Sequence, residues 1–422
     1  MSIATQAEPG TSQWAQRRAA VAADMQSRLY AHLAAGTTDQ SQGPQWCPAE
    51  LYSNPDRFEA ERQALFRGMP LLAGLSADLP AAGSKLLFDC AGPPIVVVRS
   101  RSGEVRAFLN MCSHRGSRLI EQCHPGPRMT CPFHGWTFNL DGQLVAMPGA
   151  RSFTGIGRDE LSLKEVPATE QDGLIFVLAD PAAGDVDLAS HLGPFAAELA
   201  QLELGNAQPI KHSRIDADAN WKYCVDTFGE SYHVATLHPD TVARSAVNDT
   251  MVFEPFGLHH RIGYAPKRMA EQAKLAPASR APLPFSAVHL LFPNTVIHVT
   301  TVGPGHATLI YRVFPGAQVG RSFTMVSTYR SGDVPRQEPP SAWEELHDYQ
   351  VNVVATRTTG WPRRRRSTSS RPRPAPGSST APTSCPFNAS RPTWQRWSNR
   401  RCAAAAGHIS TSPAPTTPRE RL

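Results

Sequence analysis

The sequence predicts an α+β protein, with a small all-β domain followed by a larger domain of antiparallel sheet and helices. Three observations support this. Short β-patterned runs dominate residues 46–180, mixed strand and helix patterns fill residues 181–356, and one helical pattern precedes both. At 422 residues the chain is long enough for two or three domains with sizeable cores.

The elements follow in chain order. Residues 1–45 form a leader whose helical candidate, AQRRAAVAADMQSRLYAHLAA, ends at the loop-like GTTDQSQGPQ. The β-patterned runs of the small domain are KLLFDC, PIVVVRS, VRAFLN and GLIFVLA, separated by Gly, Pro and Ser. In the larger domain we predict a helical stretch around residues 220–238 and three later strands, AVHLLFPNTVIHVT, HATLIYRVFPG and SFTMVSTYR.

The formal net charge of +6 comes wholly from the C-terminal end of the chain. Residues 357–422 hold 13 Arg, no Lys and one acid, Glu420, whereas the first 356 residues carry 29 bases and 35 acids. The body is therefore mildly acidic and lacks the basic surface of a nucleic-acid-binding protein. We find neither a membrane-spanning run nor a secretory pattern, so we expect a cytoplasmic protein whose eight cysteines are thiols or metal ligands.

The segment NMCSHRGSRLIEQCHPGPRMTCPFHGW, residues 110–136, has two arms that each offer one thiol and one imidazole. Cys112 and His114 form the first arm, and Cys131 and His134 form the second. In a Rieske [2Fe–2S] cluster two cysteines hold one iron and two histidines hold the other, which matches this ligand set. A zinc site, which usually pairs like with like, and unrelated core cysteines beside surface histidines are the alternatives.

The other cysteines are interpreted as structural. Cys123 and His124 lie between the two arms, and adjacent residues rarely both reach one metal, so we do not assign them as ligands. Cys47, Cys90 and Cys224 are predicted to be small buried apolar side chains.

A second motif, NWKYCVDTFGESYHVATLHPDT, spans residues 220–241 and contains His233 and His238. On an ideal helix a spacing of five puts two side chains about 140° apart. Pro239 disfavours helical geometry at His238, which is then able to turn back towards His233. Two imidazoles and one carboxylate form the facial triad of non-haem Fe(II) oxygenases. Taken alone, the pair is more typical of surface or core histidines than of a metal site.

Together the two motifs resemble the Rieske non-haem iron oxygenases, specifically the large (alpha) subunits of aromatic-ring-hydroxylating dioxygenases. The resemblance covers residues 46–356 and rests on the two Cys/His arms, on NWK followed by ESYHVATLH, and more loosely on HLLFPN and RVFPG. It implies a Rieske domain over residues 46–180 and a helix-grip-like catalytic domain over residues 181–356. It also implies two cofactors, a [2Fe–2S] Rieske cluster and a mononuclear Fe(II).

The resemblance assigns a role to Glu230, three residues before His233. It implies that this acid links His134 of the partner subunit to His233 of its own chain. A carboxylate in that place orients both imidazoles through their N–H groups. A solvated acid on a helix face is the alternative. The family more often has Asp here, and Glu occurs in some monooxygenase and demethylase branches, which leaves the reaction subtype open.

The activity implied is that of a terminal oxygenase. Electrons from NAD(P)H arrive through a separate reductase, with or without a ferredoxin, and O₂ is used to hydroxylate an organic substrate, expected to be aromatic as in aromatic hydrocarbon catabolism. The implied assembly is a homotrimer or an α3β3 complex, with no nucleic-acid or membrane partner. A monooxygenase or demethylase of an amine is one alternative. An electron-transfer or regulatory iron–sulfur protein without catalytic iron is the other.

The residues that line the substrate pocket are harder to predict from the sequence than the iron ligands. We consider Phe228, Val234, Leu237 and Phe292 as wall residues because they are apolar and close to the second motif or its later strands. Plain core packing is the alternative for each of them.

The third iron ligand implied by the family is an aspartate on a late helix, near ELHDYQVNVVAT. Arg357 and Thr358 stand there instead. Residues 356–361 can be encoded by codons that read Glu-Asp-Tyr-Trp-Val when translated in a shifted frame. We therefore predict that residues 357–422 are an out-of-frame, disordered tail. In this interpretation the aspartate is lost at position 358. Asp348 is the nearest substitute, and a poor one. A genuine disordered tail is the alternative.

Sequencing of the gene across codon 356 tests this hypothesis. We expect a frame change there, and we expect the frame-restored protein to bind about three irons per chain, against about two for the cluster alone. Iron and sulfide analysis of both proteins measures the difference. An intact reading frame, or three irons in the 422-residue chain, contradicts the hypothesis.

Overall fold

The computed structural model describes residues 13–40 and 47–355, apart from residues 304, 333 and 336. In chain order, a long helix is followed by short helices, three small sheets and one large sheet, with further helices packed around the large sheet. No helix in this part of the chain is long and apolar enough to cross a membrane.

Ten short strands build the small sheets. They are β1 (Leu71–Leu75), β2 (Lys85–Phe88), β3 (Ile95–Arg99), β4 (Val105–Leu109), β5 (Met129–Thr130), β6 (Thr137–Phe138), β7 (Leu144–Ala146), β8 (Glu165–Val166), β9 (Ala168–Gln171) and β10 (Leu174–Val177). The sheet orders are β2-β3-β4-β8, β5-β6-β7 and β1-β10-β9, all antiparallel. The first Cys/His arm follows β4 in the chain, and the second lies between β5 and β6.

Seven longer strands form one antiparallel sheet. They are β11 (Gln208–Ala217), β12 (Ala246–Phe256), β13 (His259–Pro266), β14 (Ala287–Leu291), β15 (Thr295–Val302), β16 (Gly305–Pro315) and β17 (Ser322–Arg330). The order is β11-β17-β16-β15-β14-β13-β12. Strands β12 to β17 thus follow one another as neighbours, and β11 joins the last of them.

Nine α-helices accompany these sheets in the described residues. They are α1 (Gln13–Ala35), α2 (Glu50–Ser53), α3 (Pro55–Glu61), α4 (Leu188–Leu192), α5 (Phe195–Ala200), α6 (Trp221–Asp226), α7 (Val234–Leu237), α8 (Lys267–Gln272) and α9 (Ser341–Val353). Helices α6 and α9 pack on the large sheet on the side that we call the inner face, and α1, α4 and α5 pack on the outer face.

Strand alternation explains the two faces. Along β14, Val288 and Leu290 belong to the core on the inner face, whereas Ala287 and Leu291 belong to the core on the outer face. Successive side chains of a strand point to opposite sides, so a strand buried on both faces is apolar throughout. The sheet is therefore the central layer, and the inner face is the side on which α6, α7 and α9 place their side chains.

Two predicted elements are divided in the structure. The strand predicted over AVHLLFPNTVIHVT is wrong as one element, because it forms β14 and β15, which pair with each other around the cis Phe292–Pro293 bond. Proline has no N–H for a sheet ladder, which favours a turn there. The helical stretch predicted around residues 220–238 forms only α6 and the single-turn α7. The runs HATLIYRVFPG and SFTMVSTYR match β16 and β17.

The cysteines predicted as core residues differ in burial. Cys224 is buried, whereas Cys47 and Cys90 are only partly buried, so the prediction is wrong for these two. Burial raises the thiol pKa of both Cys224 and Cys90. Their thiols stay protonated at neutral pH, as expected of structural cysteines.

A buried ion pair joins the N-terminal helices to the motif that carries the histidines. Lys222 of α6 is 1 % exposed and its Nζ contacts the Glu61 carboxylate of α3, which is 2 % exposed as a residue. Trp221 Nε1 also donates to Glu61, at 3.2 Å. Burial lowers the pKa of Lys222 and the charge of Glu61 raises it again. The carboxylate thus satisfies both buried donors of the NWK segment.

We expect Glu61→Gln to lower the free energy of unfolding by about 3 kcal/mol or more, because it leaves the Lys222 charge buried without its counter-charge. Urea unfolding followed by circular dichroism measures the loss. The control is Glu59→Gln on the same helix, where the side chain is exposed and the change should stay below about 0.5 kcal/mol. Equal effects of the two variants would contradict the role of the buried pair.

Candidate iron sites

Two loops of matching geometry carry the first group of predicted ligands. In the first loop the Gly116 N–H donates to the Cys112 carbonyl at 2.8 Å, and in the second the Gly135 N–H donates to the Cys131 carbonyl at 3.0 Å. The two glycines have φ of 72° and 73°, in the left-handed region that favours glycine. Each Cys-containing arm therefore folds into the same tight turn.

The four predicted ligands come together at the tips of these loops. His114 Nδ1 and His134 Nδ1 lie 3.1 Å apart, and the thiols of Cys112 and Cys131 are within hydrogen-bonding reach of each other. Both thiols are buried, whereas both imidazoles reach the surface. The His114 ring stacks on Trp136 at 4.7 Å, which fixes its orientation.

The electrostatics of the loops suit metal binding. Burial opposes ionisation of Cys131, but the backbone N–H groups of His134 and Phe133 lower the pKa of its thiol overall. Burial raises the pKa of Cys112. Desolvation, and then the charge of His134, lower the pKa of His114, which keeps the ring neutral. Metals bind the neutral ring and the deprotonated thiol, so backbone donors and neutral rings both favour ligation.

The donor set fits a [2Fe–2S] cluster. Two sulfur atoms lie on the buried side and two ring nitrogens on the surface side, as separate pairs. Among the described residues no three His, Cys, Asp or Glu side chains converge on one metal position. Two pairs suit two irons, whereas a single zinc needs its four donors around one point. Cys123 is exposed, and His124 Nε2 lies 3.0 Å from Gln122 Oε1, so neither joins the pairs.

The second pair of predicted ligands flanks the single-turn helix α7. His233 precedes the helix, and His238 follows it with φ of −123° and ψ of 42°, outside the helical region. The two ring centroids are 5.3 Å apart. The turn at His238 is the one predicted from Pro239. It brings together two rings that a continuous helix would separate.

Glu230 holds the first of these imidazoles. Its Oε2 accepts the backbone N–H of His233 at 3.1 Å, and its Oε1 contacts His233 Nδ1. This contact leaves Nε2 as the ring nitrogen that is able to face a metal. The Glu230 side chain is 19 % exposed, so part of it also reaches the surface. The solvated-acid alternative therefore does not describe Glu230.

An irregular stretch of β12 supports α7. The register with β13 shifts between residues 246 and 251, and Asp249 in that stretch has a φ of 51°. The bulge brings Asn248 Oδ1 to the Ala235 N–H at 2.9 Å, which satisfies one of the open donors at the start of α7. It also brings Asp249 near Glu230. Burial, and then the charge of Glu230, raise the pKa of Asp249.

Asp348 does not complete the histidine pair. Its carboxylate oxygens accept from Lys211 Nζ at 2.6 and 2.9 Å, and its side chain is 63 % exposed. Asp348 is therefore a poor substitute ligand, because a lysine of β11 holds this carboxylate at the surface. Position 358, where the aspartate was predicted to be lost, and the tail 357–422 lie outside the described residues.

Helix α9 nevertheless approaches the second site. Tyr349 lies close to Thr241, three residues after His238, and Gln350 Oε1 accepts from the Tyr311 hydroxyl at 3.3 Å. Both contacts lie in the last turns of α9. The helix therefore runs towards the histidine pair as the chain approaches residue 355.

Aromatic side chains line the space beside the histidine pair. The rings of Phe228 and Tyr311 lie 4.8 Å apart, and the Tyr264 hydroxyl donates to the Phe228 carbonyl at 2.7 Å. Burial, and then the charge of Glu230, raise the pKa of Tyr264, which places this ring near the carboxylate. Phe228 was predicted as a wall residue, whereas the two tyrosines were not. Tyr311 lies in a predicted strand, two residues after Leu309. Strand alternation would have predicted that both side chains point to the same face.

The remaining predicted wall residues lie in different environments. Val234 is buried within α7, and Leu237 is partly buried at its end. Phe292 is 1 % exposed and belongs to the main core, with its N–H bonded to His259 Nδ1 at 3.0 Å. Phe292 is therefore a core residue at the β14–β15 turn.

Comparison with protein families finds two matches in chain order. Residues 70–167 match the Rieske [2Fe-2S] domain, and residues 204–356 match the ring hydroxylating alpha subunit catalytic domain. Similar curated proteins include the glycine betaine monooxygenase oxygenase subunit of Chromohalobacter salexigens, 34% identical over 48% of this chain and 45% of that protein. The carnitine monooxygenase oxygenase subunit of Escherichia coli is 31% identical over 46% of this chain and 52% of that protein. The chain spans about half the length of these relatives.

Solved structures share the fold. The quaternary ammonium Rieske monooxygenase CntA with L-carnitine has a TM-score of 0.62 at 21% identity, covering 80% of this chain and 86% of that one. Naphthalene 1,2-dioxygenase from Rhodococcus sp. has a TM-score of 0.57 at 21% identity, covering 78% and 80%. With a Rieske domain followed by a ring-hydroxylating catalytic domain, the chain belongs to the large (alpha) subunits of the Rieske non-haem iron oxygenases, whose two domains carry a [2Fe–2S] cluster and a mononuclear iron.

Proposed function

We propose that the chain is a terminal oxygenase component that hydroxylates a small quaternary amine with O₂. The observation that carries this proposal is a group of aromatic rings near His233 and His238, beside the Glu230 carboxylate. Phe228, Tyr264 and Tyr311 supply the rings, and Glu230 supplies negative charge next to Tyr264. A quaternary ammonium ion is attracted both by aromatic faces and by carboxylates, and it needs no hydrogen-bond acceptor. The relatives named for glycine betaine and carnitine support the same class.

In this proposal Cys112, Cys131, His114 and His134 hold the [2Fe–2S] cluster. The cluster supplies single-electron transfer at a raised potential, because two of its ligands are neutral imidazoles. The residues around it keep the ligands in place. Trp136 stacks on the His114 ring, and the backbone turns at Gly116 and Gly135 set the direction of both arms.

His233 and His238 hold the mononuclear iron in the same proposal. That iron supplies O₂ activation, with positions left open for O₂ and substrate. Glu230 keeps His233 in the tautomer with Nδ1–H and Nε2 available, since its carboxylate accepts the Nδ1 proton. The buried ring of His238 excludes water from its side of the site.

The electron donors are a separate reductase, with or without a ferredoxin, and the assembly is a cyclic trimer, with or without a small beta subunit. Exposed aromatic residues flank both sites and support such docking. Phe133, 60% exposed, is next to His134, and Arg115 lies 5.8 Å from its ring. Tyr232, 57% exposed, is next to His233. In the trimer these two surfaces meet, with Glu230 between the two histidines.

An aromatic substrate, the class predicted from the sequence, is the second candidate. The rings of Phe228 and Tyr311 also suit stacking on an aromatic molecule, and a biphenyl 2,3-dioxygenase alpha subunit of Rhodococcus jostii is 29% identical over 44% of this chain. Product analysis by mass spectrometry distinguishes the classes. Reduced frame-restored protein and O₂ should convert glycine betaine or carnitine and leave biphenyl unchanged. Conversion of biphenyl alone would favour the aromatic class.

The cluster assignment predicts a Rieske-type electron paramagnetic resonance signal after reduction. We expect His114→Cys and His134→Cys to lower the reduction potential or to lose the cluster, because a thiolate adds negative charge in place of a neutral ring. The matched control is His124→Cys in the intervening loop, which should keep both signal and potential. An unchanged rhombic signal in both ligand variants would contradict the assignment of a Rieske cluster.

The bridging role of Glu230 predicts an uncoupled enzyme on substitution. In the frame-restored protein, Glu230→Gln should keep both metal sites occupied and the cluster reducible, yet lower the rate of product formation by about 10–100-fold. Metal analysis, the cluster signal and single-turnover product yield measure the three parts. Asp249→Asn, a neighbouring carboxylate that does not contact His233, is the control and should retain most of the rate. A monomer with full activity contradicts the bridge.

A further inference from the structure

His298 occupies an unusual place in the large sheet. It lies on β15, in the middle of the seven strands. Val296 and Val302 lie two and four residues from His298 along β15, and both pack on the inner face with α9. Ile297 and Val299, which are adjacent to His298, pack on the outer face. Alternation therefore directs the His298 imidazole to the inner face, the side of the histidine pair.

The neighbours of His298 on that face are apolar. It is paired with Val288 on β14 and with Leu309 on β16, and Val288 is paired in turn with Ile262 on β13. Val288, Leu309 and Ile262 are buried, but the His298 ring remains partly accessible. A side chain in the centre of a sheet, between buried neighbours, keeps accessible surface only if it faces a cavity. The ring therefore opens into the space between the sheet and the inner helices.

The chemistry of the ring at this position is limited. Burial lowers the pKa of His298 to about 4, with no carboxylate offsetting the effect. The imidazole is therefore neutral near pH 7 and offers one N–H donor and one acceptor nitrogen. A polar group among apolar neighbours is costly to bury without a hydrogen-bond partner. A polar group on a molecule bound in the cavity satisfies that requirement.

The distance to the aromatic wall matches a two-ended ligand. Tyr311 lies two residues beyond Leu309 on β16 and is paired with Val296. The cross-strand pair His298–Leu309 is thus about 7 Å from the pair Val296–Tyr311, given the rise of an antiparallel strand. Tyr311 packs on Phe228, beside the histidine pair. One end of the cavity is aromatic, and the other carries a single neutral imidazole.

We propose that His298 is a specificity-determining residue whose N–H binds the carboxylate of a zwitterionic quaternary amine while the ammonium end rests against Phe228 and Tyr311. This inference rests on the proposed function, and it deepens it by naming the second group of the substrate. It places the methyl groups towards His233 and His238 and the carboxylate away from them. A hydrogen bond to a charged acceptor is among the stronger ones, so His298 selects betaine-like molecules over simple ammonium ions.

Two probes that differ in the carboxylate test the inference. Isothermal titration of the full-length protein with glycine betaine and with tetramethylammonium should show a preference for glycine betaine of about tenfold or more. His298→Leu should abolish this preference and change the affinity for tetramethylammonium by less than about threefold, because only the carboxylate loses its partner. His298→Gln keeps an N–H donor and should retain part of the preference.

The control variant is His212→Leu, an exposed histidine on β11 whose Nδ1 lies 2.9 Å from Ser327 Oγ. Its substitution should leave the preference intact. If wild-type protein binds both probes equally, or if His298→Leu keeps the preference, the role of His298 is overturned while the substrate class stands. If neither probe binds, the quaternary-amine class itself is overturned. If His298→Leu does not fold, a smaller preference in His298→Gln than in His212→Leu supports the role of His298, and an equal preference overturns it.

Discussion

Strand alternation in the large sheet is the constraint on which the catalytic half depends. Because successive side chains point to opposite faces, β14, β15 and β16 each contribute one row to the outer core and one row to the inner face. The outer rows are closed by packing against α1, α4 and α5. The inner rows carry Tyr311 and His298, which face the helices that hold the histidine pair. A one-residue slip in any of these registers would exchange the two rows.

The outer face provides a rigid backing for this arrangement. Glu198 of α5 accepts from Arg261 of β13 and from Gln201 Nε2 at 2.9 Å, and all three side chains are buried. Removing one partner from such a buried charged group is strongly destabilising, because the other charge stays in the interior. The polar cluster therefore ties α5 to the sheet through directional contacts, in addition to the apolar packing around it.

Local features of the site could be predicted from the sequence, and long-range features could not. The two Cys/His arms could be predicted because each arm is a single tight turn, fixed by Gly116 in the first arm and by Gly135 in the second. The turn at His238 is readable because Pro239 is its neighbour. The ion pair that holds Asp348 at the surface could not be predicted, because its partner, Lys211, is 137 residues away in the chain. Strands β12 and β13 were missed because a bulge and polar residues interrupt their alternation, and with them Tyr264 was missed.

The bulge in β12 has a consequence for the sheet as a whole. Strand β12 is an edge strand of the large sheet. Thr38 and Asp39 hydrogen-bond to the main chain of Met251 and Phe253, so this part of the edge is already covered. A regular edge of this kind is a template for intermolecular strand pairing, and bulges are one of the devices that prevent it. The left-handed residue Asp249 breaks the periodicity of that edge close to α7. The irregularity that anchors the histidine segment through Asn248 therefore also protects the protein from aggregation by edge-to-edge growth.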